Sequence, residues 1–248
     1  MQTGFKALDN LIDINKPQLI LLVDKNYGHF ASEFSGDIAN NICLKQEIDV
    51  LELVGCAKEY LIKRLVINQC EVNYRRWYPK KYTDQEFMHI GKVMTDLIET
   101  TKRLPTIEEL GFMSIRDIKS RITRYSYDNS VIDGRDGLIV FDSFTFTDWR
   151  KDKRRQREEK QLIQVLNKLS KNNNVPIIVI YGLDIDKYDE PISIEHINKN
   201  ITQYSDTVIL LNYDTEDVIW KVYADNEVKQ CKIKYNGEFR RFENYEEK

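Results

Sequence analysis

Five short, nearly continuous apolar runs, each separated from the next by longer stretches of helical periodicity, constrain this chain more than any other feature. They are Leu19–Val23, Asp49–Val54, Gly137–Phe141, Val175–Tyr181 and Asp206–Asn212. Runs this short and this rich in Val and Ile favour strand over buried helix. Strands apolar on both faces belong in a parallel sheet covered by helices on each side. Helical patterns fill the intervals at Phe30–Leu44, Lys58–Gln69, Asp84–Thr100, Ser114–Tyr125 and Arg157–Lys171. Ser114 is a candidate N-cap, with Asp117 at the capping-box position usually held by Glu or Gln. Leu162, Val165, Leu166 and Leu169 form an apolar stripe at three- and four-residue spacing. Alternation of this kind predicts an open α/β sheet with right-handed crossovers.

The tail reads differently. Val218–Tyr223 and Gln230–Tyr235 flank the polar stretch Ala224–Lys229, which predicts an antiparallel β-hairpin. A tighter turn at Asn236-Gly237 then leads into Glu238–Phe242. Ser126–Asp136 is the best loop candidate, with Asp128, Asn129, Asp133 and Gly134 as turn formers. Nothing splits the chain, so its 248 residues are expected to form one domain.

Composition narrows the function classes. At 42% hydrophobic and 11% aromatic residues, the chain can bury a sizeable core. A net charge of −3 means that nucleic acid would have to be met by a local basic patch. The four cysteines, Cys43, Cys56, Cys70 and Cys231, have no C-x-x-C spacing, and three lie in apolar surroundings, as expected of reduced thiols in a cytoplasmic protein. No apolar run is long enough to span a membrane, and no secretory leader follows Met1. A composition rich in Lys, Asn and Ile points to an AT-rich bacterial or phage genome.

Six segments, in order, resemble the RecA-like motor domain of the replicative helicases of the DnaB family. They are Thr3–Asp9, Leu104–Arg121, Gly137–Asp142 (similar to a Walker B strand), Asn174–Ile180, Ile201–Ile209 and Asn236–Asn244. The resemblance covers essentially the whole chain. It implies an α/β, RecA-like P-loop NTPase fold with a mostly parallel central sheet flanked by helices and a C-terminal antiparallel hairpin. Because it starts almost at the motor domain, neither the family's amino-terminal collar nor its linker helix is expected.

The departures from the family pattern carry the functional reading. A P-loop needs G-x-x-x-x-G-K-[ST], so that backbone N–H groups cradle phosphate, Lys neutralises it and a hydroxyl holds Mg²⁺. Here the matching stretch is Val23–Phe30: Gly28 survives, His29 stands at the lysine and Phe30 at the Ser/Thr. Asp24 adds a negative charge near where phosphates would sit. The family's water-polarising glutamate falls on Gly55 and its sensing glutamine on Gly182. The Lys-x-Arg pair that acts on a neighbouring subunit falls on Val222 and Ala224. Asp142 is retained as a Walker B carboxylate. Lys25, Gly28, His29, Phe30 and Asp142 are therefore read as a vestigial nucleotide site without catalytic residues. Phosphoryl transfer depends on positioned charges, so hydrolysis is not expected, and neither ATP nor Mg²⁺ is expected as a cofactor.

Beyond that site, Arg150, Lys151, Lys153, Arg154, Arg155 and Arg157 form one dense basic run, read as a loop past the Walker B strand. In the resembled family, loops in this region touch single-stranded DNA, a contact that would be salt-sensitive and sequence-independent. The plainer reading is a solvated helix entrance balanced by Glu158 and Glu159. Tyr74–Tyr82 mixes aromatics with four basic residues and could stack on bases or dock a protein, although aromatics closing over the core is the simpler reading. His29, His89 and His196 are scattered, so no metal site is expected. Asp148 and Asp152 near Asp142 are read as local charge balance.

The resulting expectation is a catalytically inactive relative of the replicative helicase that binds or regulates in DNA replication. Its partners would be the helicase, the helicase loader or single-stranded DNA. Two alternatives stay open: an ATP-dependent helicase or ATPase with a divergent loop, in which Lys25 replaces the missing lysine, and a single-stranded-DNA binding module.

Overall fold

All five apolar runs are strands, and each is buried along nearly its whole length. The computed structural model describes residues 1–25, 29–73, 75, 82–99, 104–111, 113–129, 131, 134–142, 153–183, 191–214, 217–224 and 227–245. In chain order the elements are α1 (Lys6–Asp9), β1 (Leu19–Lys25), α2 (His29–Gln46), β2 (Asp49–Val54), α3 (Lys58–Cys70) and α4 (Asp84–Glu99). There follow β3 (Thr106–Glu109), α5 (Ile115–Asp128), β4 (Gly137–Asp142), α6 (Lys153–Asn172), β5 (Ile177–Leu183) and α7 (Lys199–Thr202). The chain closes with β6 (Thr207–Asp214), β7 (Asp217–Ala224), β8 (Glu227–Asn236) and β9 (Arg241–Asn244).

Among the described residues these strands form one nine-stranded sheet in the order β3-β2-β4-β5-β1-β6-β7-β8-β9. Every pairing from β3 to β6 is parallel. Those from β6 to β9 are antiparallel. The fold is thus α/β with a mostly parallel sheet and an antiparallel C-terminal extension. Successive side chains of a strand point to opposite faces, so two cores form. On one face Leu21, Leu51, Ile139 and Ile177 pack with Ile122 of α5 and Leu166 of α6. On the other, Leu22, Val50 and Val140 pack against Phe34, Ile38 and Ile42 of α2, and Phe242 of β9 closes over them. A satellite cluster of Val66, Cys70, Val72 and Ile90 joins α3 to α4.

Local signals hold where the chemistry is explicit. The Ser114 Oγ accepts from the Asp117 N–H at 3.2 Å and the Asp117 carboxylate accepts from the Ser114 N–H at 3.0 Å, a complete capping box. Leu162, Leu166 and Leu169 are buried in the core, and Val165 packs partly against it.

Four expectations shift. β5 starts at Ile177, because Pro176 has no N–H to give the ladder; its carbonyl accepts from the Ile139 N–H at 3.1 Å. α5 continues through Asp128, so the loop after it is shorter than Ser126–Asp136. The polar stretch Ala224–Lys229 is mostly strand, since β7 ends at Ala224 and β8 starts at Glu227. The last strand starts at Arg241, after a turn in which Arg240 takes a left-handed φ of 49°. The basic run is corrected as well: Lys153, Arg154, Arg155 and Arg157 lie on α6, not on a loop. Lys, Arg and Gln are good helix formers, and the apolar stripe behind them carries the helix back to Lys153. Arg150 and Lys151, like Asp148 and Asp152, lie outside the described residues.

Candidate functional site

The carboxyl ends of β1, β2 and β4 meet the first turns of α2, and buried polar side chains gather there. Asp24, Ser32, Glu33, Asp37, Glu52, Arg64 and Asp142 are all buried. The pleat explains three of them. Asp24 continues the Ile20–Leu22 face of β1, Glu52 the Val50 face of β2, and Asp142 the Leu138–Val140 face of β4, all toward α2.

Two hydrogen bonds tie the strand ends to the helix. The Ser32 hydroxyl donates to Oδ2 of Asp142 at 2.5 Å. The Ala31 N–H, in the first turn of α2, donates to Oδ2 of Asp24 at 2.9 Å. A hydroxyl beside a buried aspartate is the pair with which P-loop proteins hold Mg²⁺. The alignment put Phe30 at the hydroxyl position, whereas the hydroxyl beside Asp142 belongs to Ser32, two residues on. The Phe30 ring instead meets Tyr235 of β8 edge-on, with centroids 4.9 Å apart.

Arg64 organises the next layer. Its guanidinium donates to the carbonyls of Ser32 at 3.1 Å and Glu33 at 2.6 Å, and lies 3.6 Å from the Asp37 carboxylate. Gly36 makes this approach possible, because a Cβ there would collide with the Arg64 guanidinium. Asp37 also accepts from Asn68 Nδ2 and from the Phe242 N–H, each at 2.9 Å. Glu33 accepts from the Tyr235 hydroxyl at 2.7 Å and pairs with Arg240, so α2 is bound to the C-terminal strands by charge as well as by packing. Burial raises the pKa of Glu52 to about 7 despite the opposing charge of Arg64, and Asp142 adds to the rise. Burial likewise raises Asp37 to about 7, again opposed by Arg64.

The other sequence candidates fall as follows. Lys25 is buried at the end of β1, but the pleat sets it on the Leu21–Val23 face, opposite Asp24 and Asp142. Gly28 and the His29 side chain lie outside the description; the His29 backbone opens α2. Gly55 follows β2 in a bend, and Gly182 lies in β5 opposite Asp24. Val222 is buried in the core. Arg157 is exposed, and nothing is described of the side chains from 153 to 156. Within Tyr74–Tyr82, only Arg75 and Tyr82 are described, and Tyr82 packs against the α3–α4 cluster. Ser32, Glu52 and Arg64 escaped the sequence reading. A lone Glu inside the apolar run Asp49–Val54 was the one signal that could have drawn attention to this layer. Among the described residues, no group of three His, Cys, Asp or Glu side chains is arranged to hold a metal. No described helix is long and apolar enough to cross a membrane.

Parallel strands delivering a buried hydroxyl–carboxylate pair to the head of the helix after β1 define a RecA-like P-loop architecture. The profile of the DnaB-like helicase C-terminal domain matches residues 1–244, and the chain belongs to that family. Two solved structures share the fold. One, described as an ATPase domain, superposes with a TM-score of 0.80 at 16% identity, over 98% of this chain and 90% of that one. A DnaB-like replicative helicase, described with its interactions with primase, gives 0.81 at 15% identity, over 98% of this chain and 61% of that one. No curated protein matches by sequence.

Proposed function

We propose that this chain is a catalytically inactive member of the replicative-helicase family that serves DNA replication as a binding or regulatory factor. Its partners are the helicase, the helicase loader or DNA. One observation carries the reading. In the register set by Gly28, His29 stands at the P-loop lysine and Phe30 at the Ser/Thr, and the hydroxyl that meets Asp142 comes from Ser32 instead. Neutral imidazole is a poor replacement for a flexible ammonium beside a β- or γ-phosphate, and a phenyl ring cannot ligate magnesium. The surrounding layer holds the carboxylates of Asp24, Glu33, Glu52 and Asp142, and Arg64 is already engaged by Asp37 and two α2 carbonyls. Lys25 is a poor substitute cation, since it lies on the other face of the sheet. A structural relative described with primase supports replication as the setting.

Phosphate release from ATP with Mg²⁺, with and without single-stranded DNA, tests the proposal alongside isothermal titration. No turnover above background is expected. Micromolar ATP binding with turnover would establish the divergent-ATPase alternative instead. Capture from host lysate, probed for the helicase and its loader, tests the partner.

A second reading, single-stranded DNA binding, is favoured by the head of α6. Lys153, Arg154 and Arg155 open that helix, and its first turn has no acid. Cations there oppose the helix dipole and cost stability, so their concentration fits contact with an external anion such as a phosphate backbone.

A further inference from the structure

We infer that the Asp24 carboxyl group occupies the head of α2 in place of a phosphate and thereby excludes polyphosphates from this chain. The inference rests on the non-hydrolysing reading above and supplies a cause for it. The amino end of a helix, with its unpaired N–H groups and the positive end of its dipole, is where P-loop folds seat phosphate. Here that end belongs to the 18-residue α2, and the Ala31 N–H donates to the Asp24 carboxylate at 2.9 Å. Asp24 is fully buried one residue before the end of β1, so the carboxylate comes from the strand leading into the helix. A capping residue just before a helix would satisfy the same N–H from the chain's path, but Asp24 lies seven positions upstream of Ala31 and reaches it from inside the core. A nucleotide phosphate would have to displace this carboxylate and then lie beside it and Asp142. Asp24 satisfies the Ala31 N–H of the first turn of α2 from within the chain.

The test compares wild type, Asp24→Ala and Asp24→Asn by thermal melting, with millimolar inorganic pyrophosphate against sodium chloride of matched ionic strength. Wild-type Tm is expected to ignore pyrophosphate. Asp24→Ala should melt about 5 °C lower and recover at least half of that loss in pyrophosphate. Asp24→Asn keeps an acceptor oxygen but not the charge, and should fall between the two. Asp24→Ala melting with wild type, or melting lower without recovery, overturns the inference. If Asp24→Ala does not fold, Asp24→Asn decides: pyrophosphate must raise its Tm more than that of wild type, and equal shifts overturn the inference. Turnover of ATP by wild type would defeat the functional reading, whereas the pyrophosphate comparison judges Asp24 alone.

Discussion

Ser32 and Asp142 stand 110 positions apart in sequence, and the hydroxyl of one donates a 2.5 Å hydrogen bond to the carboxylate of the other. This contact crosses from the head of α2 to the end of β4, past the intervening strand β5. It gives a buried carboxylate a hydroxyl partner, a role in the fold that requires no metal.

Ser32→Ala therefore tests a structural bond. Removing the donor leaves Asp142 without that partner in a buried site, and such losses cost about 1–3 kcal/mol. Urea denaturation should show a lower midpoint with an unchanged m-value. Ser32→Thr keeps the hydroxyl and should restore most of the loss. A Ser32→Ala protein as stable as wild type would mean that the bond contributes nothing to the fold.

Gly36 and Arg64 make a coupled pair. In an isolated helix, Gly→Ala is stabilising by about 1 kcal/mol. At position 36 the added methyl meets the Arg64 guanidinium, displacing it from Asp37 and from the carbonyls of Ser32 and Glu33. Breaking one side of a buried ion pair costs about 3–5 kcal/mol, so Gly36→Ala should be strongly destabilising. In an Arg64→Ala background the collision is gone, and the same change should be neutral or stabilising. A double-mutant cycle reads the coupling directly, and additive effects would show that the contact is unimportant.

Stability should fall as pH rises toward neutrality. Burial holds Glu52 and Asp37 at about 7 in the folded chain, above their ordinary values. Between those ordinary values and 7 the folded state keeps protons that the unfolded state has released. The stabilisation is complete below the ordinary values and is lost as pH climbs through 7. Each group contributes a slope of up to ~1.4 kcal/mol per pH unit. Asp13 and Asp117, lowered by side-chain hydrogen bonds from Asn15 and Ser114, act in the opposite sense at lower pH. Glu52→Gln mimics the protonated acid, so it should match wild type near pH 5 and exceed it near pH 8. Urea midpoints across that range check the slope, and parallel curves for the two proteins would refute the assignment.

The architecture was legible because parallel strands buried on both faces announce themselves as short Val- and Ile-rich runs. The end of each run was less legible, and that is where the site lies. Asp24, Lys25 and Asp142 are polar residues completing apolar strands, and a reading that stops at the last apolar residue stops short of all three. Ser32 was passed over because the register set by Gly28 places Phe30, not Ser32, at the motif's hydroxyl. Only the contact with Asp142 shows which hydroxyl reaches the carboxylate. Arg64 was invisible for a related reason. It follows exposed Lys63 in α3, where nothing local separates a buried cation from a surface one, and its burial depends on Gly36 in another helix.

Neutralising Arg154, Arg155 and Arg157 together separates the two uses of the basic run. If these residues only solvate the entrance to α6, their replacement by Ala changes no binding. It relieves unfavourable charge at a helix head by a few tenths of a kcal/mol each, with Tm rising slightly. If they contact a nucleic-acid backbone, affinity for single-stranded oligonucleotides should fall without loss of Tm. The dependence of log K on log salt should then flatten by about 2, since each neutralised phosphate contact on a single strand contributes ~0.7. Fluorescence anisotropy at several salt concentrations measures both quantities. Unchanged affinity and slope would remove this surface from consideration as a DNA contact, and with it the structural reason for reading the chain as a strand-binding module.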